Sequence, residues 1–338
     1  MSSAQPALTT IMSGMRPTGK LHIGHYLGVL TNWLKLQEQY ACYFMIADWH
    51  ALTTRYDRSA ELTEHTLQML IDWLAVGIDP KKAVLYCQSD IPEIAQLHLI
   101  FSMLTPLPWV QGDPTLKDMV KQLHEDLNYG LLGYPVLQSA DILIMQAEGV
   151  PVGRDQLAHL EITRDIARRF NHVTGSSVFP EARPLLTDTP LIAGLDGQKM
   201  GKSNNNAIFL SDTEDETWQK LRTALTDTGR VKRDDKGNPD NCPVVFPYYG
   251  LFADAATIAT TDAECRQAAR GCMDCKKGLA ERINETLRPI RERGKTFAGD
   301  TAQLIQILRD GRKQARDRAS ETVLKVRQAM QWLPLVSS

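Results

Sequence analysis

Hydrophobic positions in the first half of the chain follow two alternating patterns. Short apolar runs of strand length occur at residues 7–12, 43–47 and 84–87. Between them, apolar residues recur at helical spacing, notably over residues 60–76 and in a segment that begins near Lys20. Strands that alternate with amphipathic helices are typical of a parallel sheet, so we expect an α/β, Rossmann-like fold. Ligands of such a sheet bind beyond the carboxyl ends of its strands.

The pattern changes after about residue 212, where strong strand signals are absent and helical spacing dominates. The predicted helical segments are residues 215–228, 262–284, 301–308 and 314–332. Residues 227–242 are rich in Asp, Gly, Lys, Asn and Pro, which predicts a loop. We therefore expect two domains, a sheet domain at 1–204 and an α-helical domain at 205–338, with the final helix returning to the sheet.

Composition narrows the class of protein. Of 338 residues, 43% are hydrophobic and 23% are charged, which is ordinary for a globular protein. The first residues lack the basic start and apolar stretch of a signal peptide, and no apolar run reaches about 18 residues, the length of a membrane span. We expect a cytoplasmic protein, in which the six cysteines do not form structural disulfides.

Charge is unevenly distributed. The chain carries a formal net charge of −2, yet residues 266–327 contain 16 Lys/Arg against 8 Asp/Glu. A basic helical segment on an otherwise acidic protein suits a polyanionic partner. An uneven helical surface without such a partner is the alternative.

The first chemical motif is His22-Ile23-Gly24-His25, shortly after the first predicted strand. Histidines at i and i+3 share one face of a helix. At a helix N-terminus that face also presents unpaired N–H groups, which suit a phosphate. Gly24 leaves room for a flat ligand such as adenine. Metal ligands or ordinary surface histidines are the alternatives for this pattern taken alone.

The second motif is Lys199-Met200-Gly201-Lys202-Ser203, within a loop at residues 197–206. Two lysines that flank a glycine can hold the β- and γ-phosphates of ATP and neutralise the charge that builds as pyrophosphate leaves. An exposed basic turn is the alternative for this motif alone.

In this order, the two motifs resemble the HIGH and KMSKS signatures of class I aminoacyl-tRNA synthetases. Gly201 replaces a serine, which removes one hydroxyl contact and loosens the loop. The resemblance implies that His22, His25, Lys199 and Lys202 are catalytic, with Mg²⁺ accompanying ATP. The implied ATP contacts are Arg16, Pro17, Thr18, Gly24, His25, Gly153, Arg154, Asp155, Leu191, Lys199, Met200, Gly201, Lys202 and Ser203. Lys117 is a further phosphate-contact candidate.

Residues 134–143 (YPVLQSADIL), followed by 150–156 (VPVGRDQ), are similar to tryptophanyl-tRNA synthetases, and this likeness extends over nearly the whole chain. Tyrosyl-tRNA synthetases share the Asp-Gln pair but usually lack the ADIL segment. In the tryptophan family the ADIL aspartate, Asp141 here, accepts the indole N–H, the one donor of that ring. A helix cap or salt bridge is the alternative for this residue. The implied tryptophan contacts are Asp141, Tyr134, Gln156, His50, Val150 and Val152. Many bacterial members of this family carry an apolar residue at the position that Gln138 occupies in this chain.

The resemblance implies that the chain joins L-tryptophan to tRNA(Trp) with ATP and acts as a homodimer, residues 91–132 supplying much of the interface. A tyrosine-specific synthetase would need the same ATP motifs. A non-catalytic RNA-binding relative would retain the basic helices and lose the ATP signatures.

Four cysteines form a third motif: Cys242, Cys265, Cys272 and Cys275 have the spacing C-x22-C-x6-C-x2-C. Four thiols in one helical region suggest a metal or cluster. Zinc ribbons usually contain two CxxC pairs, whereas iron–sulfur clusters tolerate uneven spacing. The spacing resembles that of a subset of tryptophanyl-tRNA synthetases with a [4Fe-4S] cluster beside the anticodon; zinc and free thiols remain alternatives.

We expect basic groups such as Arg270, Lys276 and Lys277 to contact the anticodon. Cys42 and Cys87 are predicted core residues.

Overall fold

The computed structural model describes residues 9–113, 128–153, 156–186 and 192–332. In this part of the chain, five parallel strands form one sheet in the order β3-β2-β1-β4-β5. The strands are β1 (Thr10–Met15), β2 (Ala41–Ile46), β3 (Ala83–Cys87), β4 (Gly149–Val152) and β5 (Arg183–Leu186). The Rossmann-like expectation is confirmed. The order reverses between β1 and β4, which places a ligand crevice at the carboxyl ends of these two strands.

The three predicted strands exist, with shifted ends. Phe44 and Met45 point to opposite faces of β2 and are both buried, which explains the continuous apolar run. The first described strand is Thr10–Met15, which extends beyond the predicted end at residue 12 because its register pairs Met15 with Ile46. Residues 7 and 8 of the prediction lie outside the described residues.

Helices surround the sheet and fill most of the remaining chain. Helix α1 (Ile23–His25) continues through a π-helical turn (Tyr26–Leu30) into α2 (Thr31–Leu36). The others described are α3 (Asp48–Arg55), α4 (Leu62–Val76), α5 (Pro92–Leu104), α6 (Leu107–Gln111), α7 (Tyr129–Leu132), α8 (Tyr134–Ile144), α9 (Leu157–Thr174), α10 (Glu214–Leu221), α11 (Val245–Phe252), α12 (Ala255–Arg266), α13 (Cys272–Ala298) and α14 (Thr301–Ala329). The prediction for residues 60–76 is confirmed as α4. Within the described ranges, none of these helices combines the length and apolar character needed to cross a bilayer.

Two predictions for the helical C-terminal region were wrong in detail. Residues 262–284 are not one helix, because a turn containing Ala268 at φ 61° separates α12 from α13. Residues 301–308 and 314–332 are not separate segments, because α14 runs through both of them. Gly311 lies in the middle of α14, where an added Cβ would stand only 1.8 Å from the carbonyl oxygen of Leu85 in β3. The helix accepts this glycine because no side chain fits there.

Both faces of the sheet are covered partly by C-terminal helices. Leu279 and Ile283 of α13 share one core with Trp33 and Trp73. On the other face, Ala315 and Ala319 of α14 share a core with side chains of α5 and α8. The expected return of the final helix to the sheet is confirmed.

Candidate active site and four-cysteine cavity

His22 and His25 lie at the start of α1, beyond the carboxyl end of β1. Their ring centroids are 3.7 Å apart, and the backbone N–H of His22 donates to His25 Nδ1 at 3.2 Å. A Cβ at Gly24 would come within 2.9 Å of the His22 ring, so glycine is needed for this pair. Burial and then the Lys202 charge lower the pKa of His22 to about 4, and burial, His22 and Lys202 lower the pKa of His25 well below its usual value. Both imidazoles are therefore neutral hydrogen-bonding groups at pH 7.

The segment that follows the lysine motif pairs with the segment that carries the histidines. Ile23 N–H donates to Ile208 O at 3.0 Å, and Leu210 N–H donates to Leu21 O at 2.9 Å. These two bonds hold residues far apart in the chain as neighbours. The structure thus brings the two predicted ATP motifs together.

The two lysines of the second motif have different surroundings. Lys202 Nζ donates to Gly19 O at 2.8 Å and to Thr18 Oγ1 at 3.1 Å. Burial is the largest influence on Lys202 and lowers its pKa to about 8, although the nearby Asp72 carboxyl raises it. Lys199, in contrast, is exposed. Lys202 therefore joins the histidine site directly, whereas the Lys199 side chain is open to solvent.

Sequence reasoning missed Asn206, which shapes the lysine loop. Its Oδ1 accepts the Gly201 N–H at 2.9 Å, and its Nδ2 donates to Lys199 O at 3.1 Å and to Asp196 Oδ1 at 2.8 Å. Asn206 ends a run of three asparagines, and no pattern distinguishes it from the two before it. Gly201 has extended backbone with φ −160°, which a serine also adopts, so backbone strain does not require glycine here.

Two predicted tryptophan-site residues, His50 and Tyr134, lie close to a third, Asp141, which α8 places in the interior with 1% exposure. His50 lies at the start of α3, and its Nε2 atom is 2.8 Å from Asp141 Oδ2. The Tyr134 ring stands edge-on to the His50 ring, with centroids 4.3 Å apart. Gln88 was missed: it is fully buried directly after β3, and its amide donates to both Asp141 oxygens. Its position directly after a predicted strand was the available signal.

Asp141 is held as a hydrogen-bonded carboxyl in the interior. Complete burial raises its pKa, while hydrogen bonds from His50 and Gln88 and the charge of His98 oppose that rise. Asp141 lies inside α8 and is buried, which argues against a helix cap, whereas its contact with His50 has the geometry of the salt-bridge alternative. An acceptor at this position can bind a buried donor of a ligand.

Other predicted contacts surround the same crevice. Val150 and Val152 are buried in β4, and Gly153 follows them. Gln156 Oε1 lies 3.0 Å from His159 Nδ1, and the His159 ring is near Tyr134. Gln138 is half-buried on α8, and its Oε1 has no hydrogen-bond partner in the described part of the chain.

The loop after β1 supplies three predicted ATP contacts, Arg16, Pro17 and Thr18. Burial lowers the pKa of Arg16, whose guanidinium donates to the Thr54 hydroxyl, and Pro17 is buried beside it in the chain. Four further candidates lie outside the described residues, namely Lys117, Arg154, Asp155 and Leu191. The structure describes the backbone of Ser203 but not its side chain.

The four cysteines of the third motif line one small cavity together with Arg230 and Arg270. Burial raises the pKa of Cys275 to about 12, and the neighbouring Cys242 and Cys265 add to that rise. The thiols therefore lie within electrostatic reach of one another. Within the described residues, no three His, Cys, Asp or Glu side chains are arranged closely enough to bind a single metal ion.

The remaining predictions about this region have mixed outcomes. Cys42 and Cys87 are buried core residues, as expected. Lys276 is 7% exposed, and its Nζ donates to Arg222 O at 2.8 Å. Lys276 was therefore wrongly predicted as an RNA contact, because helical spacing turns it inward while Lys277 is exposed.

The fold and the paired signatures define a class I synthetase. A family model described as tRNA synthetases class I (W and Y) matches residues 6–288. The chain is 46% identical to tryptophan–tRNA ligase of Thermotoga maritima, with 95% of this chain and 98% of that one covered. It is 39% identical to the Aquifex aeolicus ligase, with 95% of this chain and 99% of that one covered. The chain therefore belongs to the tryptophan–tRNA ligases, which are aminoacyl-tRNA synthetases.

Solved structures agree with this assignment. A tryptophanyl-tRNA synthetase from Campylobacter jejuni, complexed with ADP and tryptophan, matches with a TM-score of 0.88 and 30% identity. That match covers 96% of this chain and all of the other. A tyrosyl-tRNA synthetase from Archaeoglobus fulgidus has a TM-score of 0.64 at 22% identity, which shows a common fold alone.

Proposed function

We propose that this chain activates L-tryptophan with ATP and transfers it to tRNA(Trp). In the first step the tryptophan carboxylate attacks the α-phosphorus, forming tryptophanyl-adenylate and releasing pyrophosphate. In the second step a ribose hydroxyl of the terminal tRNA adenosine attacks the adenylate carbonyl, and AMP leaves. The first step needs positioning and charge stabilisation rather than a covalent intermediate on the protein.

We assign the ATP roles from the family resemblance, and the proximity of the two motifs supports them. His22 and His25, both neutral, donate hydrogen bonds to the α-phosphate as its charge is redistributed. Lys202, already within the histidine site, stabilises the leaving pyrophosphate together with ATP-bound Mg²⁺, and Lys199 reaches it from the exposed side. The contacts made by Arg154, Asp155, Leu191 and Ser203 remain predictions from the resemblance.

The observation that carries the amino-acid assignment is the buried Asp141 carboxyl, hydrogen-bonded by His50 and Gln88. An indole offers one N–H donor and no acceptor, which matches a carboxylate acceptor. The resemblance assigns Tyr134 and Gln156 to the substrate's α-amino group, and it assigns Val150 and Val152 to an apolar wall of the pocket.

We also propose that the chain is a cytoplasmic homodimer. Leu99, Met103 and Leu107 expose large apolar side chains between residues 91 and 132, where the interface is predicted. Tyr129, also in this interval, is 74% exposed. Clustered apolar exposure of this kind is typical of protein interfaces. Residues 114–127 of the predicted interface lie outside the described residues.

For residues 205–338 we propose an anticodon-binding role with a [4Fe-4S] cluster held by Cys242, Cys265, Cys272 and Cys275. The supporting observation is that four thiols from three parts of the chain line one cavity. A single zinc ion would need its thiolates about 3.8 Å apart, given Zn–S bonds of about 2.3 Å. Four thiols around one cavity match the number of ligands that a [4Fe-4S] cluster needs. The cluster would brace the surrounding helices.

The decisive test of the function is ATP–pyrophosphate exchange measured with each of the twenty amino acids. We expect exchange with tryptophan alone, followed by charging of tRNA(Trp). Exchange that depends on tyrosine would replace this proposal with the tyrosine-specific alternative. Absence of exchange with every amino acid would support a non-catalytic RNA-binding relative.

A further inference from the structure

We propose that Gln88 is a positioning residue that orients Asp141 and so sets the preference for a substrate ring bearing an N–H. This inference rests on the proposed role of Asp141 as the indole acceptor. Gln88 itself would not touch the substrate.

Gln88 connects three elements of the sheet domain. It lies directly after β3, in the first position of a short 3₁₀ turn, with 0% exposure. Its Nε2 donates to Asp141 Oδ1 at 2.8 Å and to Asp141 Oδ2 at 3.0 Å, which ties β3 to α8. Its Oε1 accepts the His50 backbone N–H at 3.2 Å, which ties β3 to α3. The Gln88 amide therefore binds both Asp141 and His50, the two residues closest to the predicted position of the indole N–H.

The orientation of the Gln88 amide is determined by its neighbours. The His50 backbone N–H can only donate, so it must face the Gln88 oxygen. The Asp141 carboxylate can only accept, so it must face the Gln88 NH₂ group. A flipped amide would place oxygen against carboxylate and N–H against N–H. Every hydrogen bond of the fully buried side chain depends on this single orientation.

These hydrogen bonds leave one lone pair of the Asp141 carboxylate available to accept a hydrogen bond, and they fix the direction in which it points. Oδ2 receives His50 Nε2 and the longer Gln88 bond, whereas Oδ1 receives the shorter Gln88 bond. An ionised carboxylate has about four lone-pair positions, so one on Oδ1 remains for a substrate donor. Without Gln88, His50 alone would hold the carboxylate and the group could rotate about its last bond.

Gln88 also favours the charged form of Asp141. Burial raises the Asp141 pKa, and the Gln88 hydrogen bond is one of the contacts that oppose this rise. An ionised carboxylate accepts more strongly than a protonated one. Loss of Gln88 would therefore weaken the acceptor as well as its orientation.

The test compares two substrates that differ at one atom, tryptophan and β-(3-benzothienyl)alanine, in which sulfur replaces the ring N–H. For Gln88→Met, we expect the KM of tryptophan in pyrophosphate exchange to rise about tenfold, as for loss of about 1.4 kcal/mol. The KM of the sulfur analogue should change by less than about twofold, because it has no N–H to orient. The preference for tryptophan over the analogue thus falls about tenfold.

The matched control is Gln37→Met. Gln37 is also buried and also bonded at both amide ends, to Gly77 O and to the Asp79 N–H, but it lies outside the site. Its substitution should leave the substrate preference unchanged. Gln88→Leu also removes both the acceptor for His50 and the donor to Asp141, so it provides a second variant if Gln88→Met does not fold.

The outcomes separate the inference from the function on which it rests. If Asp141→Ala abolishes the preference while folded Gln88→Met or Gln88→Leu retains it, Asp141 is the acceptor and the Gln88 inference is overturned. If neither Asp141→Ala nor the Gln88 variants alter the preference, the assignment of Asp141 itself is wrong. Equal losses for tryptophan and the analogue would mark Gln88 as a structural residue only.

Discussion

Lys202 Nζ donates a hydrogen bond to the carbonyl oxygen of Gly19 at 2.8 Å, across a separation of 183 residues in the chain. This bond places the lysine beside the histidine pair, where its charge contributes to the low pKa of His22. The phosphate site is thus assembled from two distant loops, and a change in one alters the chemistry of the other.

Replacing Lys202 tests its role in adenylate formation. Lys202→Ala should slow single-turnover adenylate formation about a hundredfold or more, because its target charge grows in the transition state. Tryptophan affinity should change by less than about threefold. Lys82→Ala removes an exposed lysine paired with Glu38 and serves as the control. An unchanged rate combined with weaker tryptophan binding would show that the role has been misassigned.

Replacing Asp141 tests the indole acceptor. Asp141→Ala should cost tryptophan activation about 2–4 kcal/mol, as expected when a buried, charge-assisted hydrogen bond is lost. The measurement is kcat/KM for tryptophan in pyrophosphate exchange. Asp254→Ala, which removes the N-cap of α12, is the control for general destabilisation. Kinetics within twofold of the unmodified enzyme would contradict the assignment.

The buried Asp72 carboxyl predicts a pH dependence of stability. Its Oδ2 accepts the Leu21 N–H at 2.8 Å, and burial raises its pKa to about 6. The folded protein therefore keeps a proton that the unfolded chain releases near pH 4, so this group destabilises the fold progressively as pH rises from about 4 to 6. Above pH 6 the cost is constant, on the order of 3 kcal/mol.

Asp72→Asn keeps an acceptor for Leu21 and removes the charge. At pH 7.5 it should raise the free energy of unfolding by an amount on the order of 3 kcal/mol, with the gain about half as large at pH 5. Urea titrations at the two pH values provide the measurement. The exposed Asp234→Asn is the control. A gain that does not shrink at pH 5 would contradict the ionisation account.

The cysteine cavity predicts a cluster that serves RNA binding and not adenylate chemistry. Protein isolated without oxygen should be brown, absorb broadly near ~400 nm and contain about four irons per chain. Cys272→Ser should remove the colour and weaken tRNA charging while tryptophan-dependent exchange persists. Cys42→Ala, outside the cavity, should retain the iron. Stoichiometric zinc without iron would exclude the cluster, and equal loss of exchange and charging would exclude the division of labour.

The sequence predicted the sheet and the two ATP motifs because both depend on local patterns. Apolar runs on buried strands and the residue types around His22 and Lys202 can be recognised without knowing the fold. Their meeting could be inferred only through the family resemblance, since nothing local to Gly19 indicates that Lys202 binds it.

What the sequence did not predict depends on contacts between distant elements. Gln88 and Asn206 act through side-chain amides whose partners come from other segments, and a single glutamine or asparagine carries no pattern. Lys276 was misplaced because a charged residue at a helical position was assumed to face water. The division of α14 at Gly311 was wrong because a contact with Leu85, more than two hundred residues away, overrides helix propensity.

The contact between Gly311 and Leu85 has a consequence for how the protein is made. Strand β3 is synthesised more than two hundred residues before α14, so one face of the new sheet stays partly uncovered until α14 has been made. Until then, apolar side chains of that face stay open to solvent and to other nascent chains. Synthesis and docking of α14, rather than completion of the sheet strands, should therefore be the step that protects this face from aggregation.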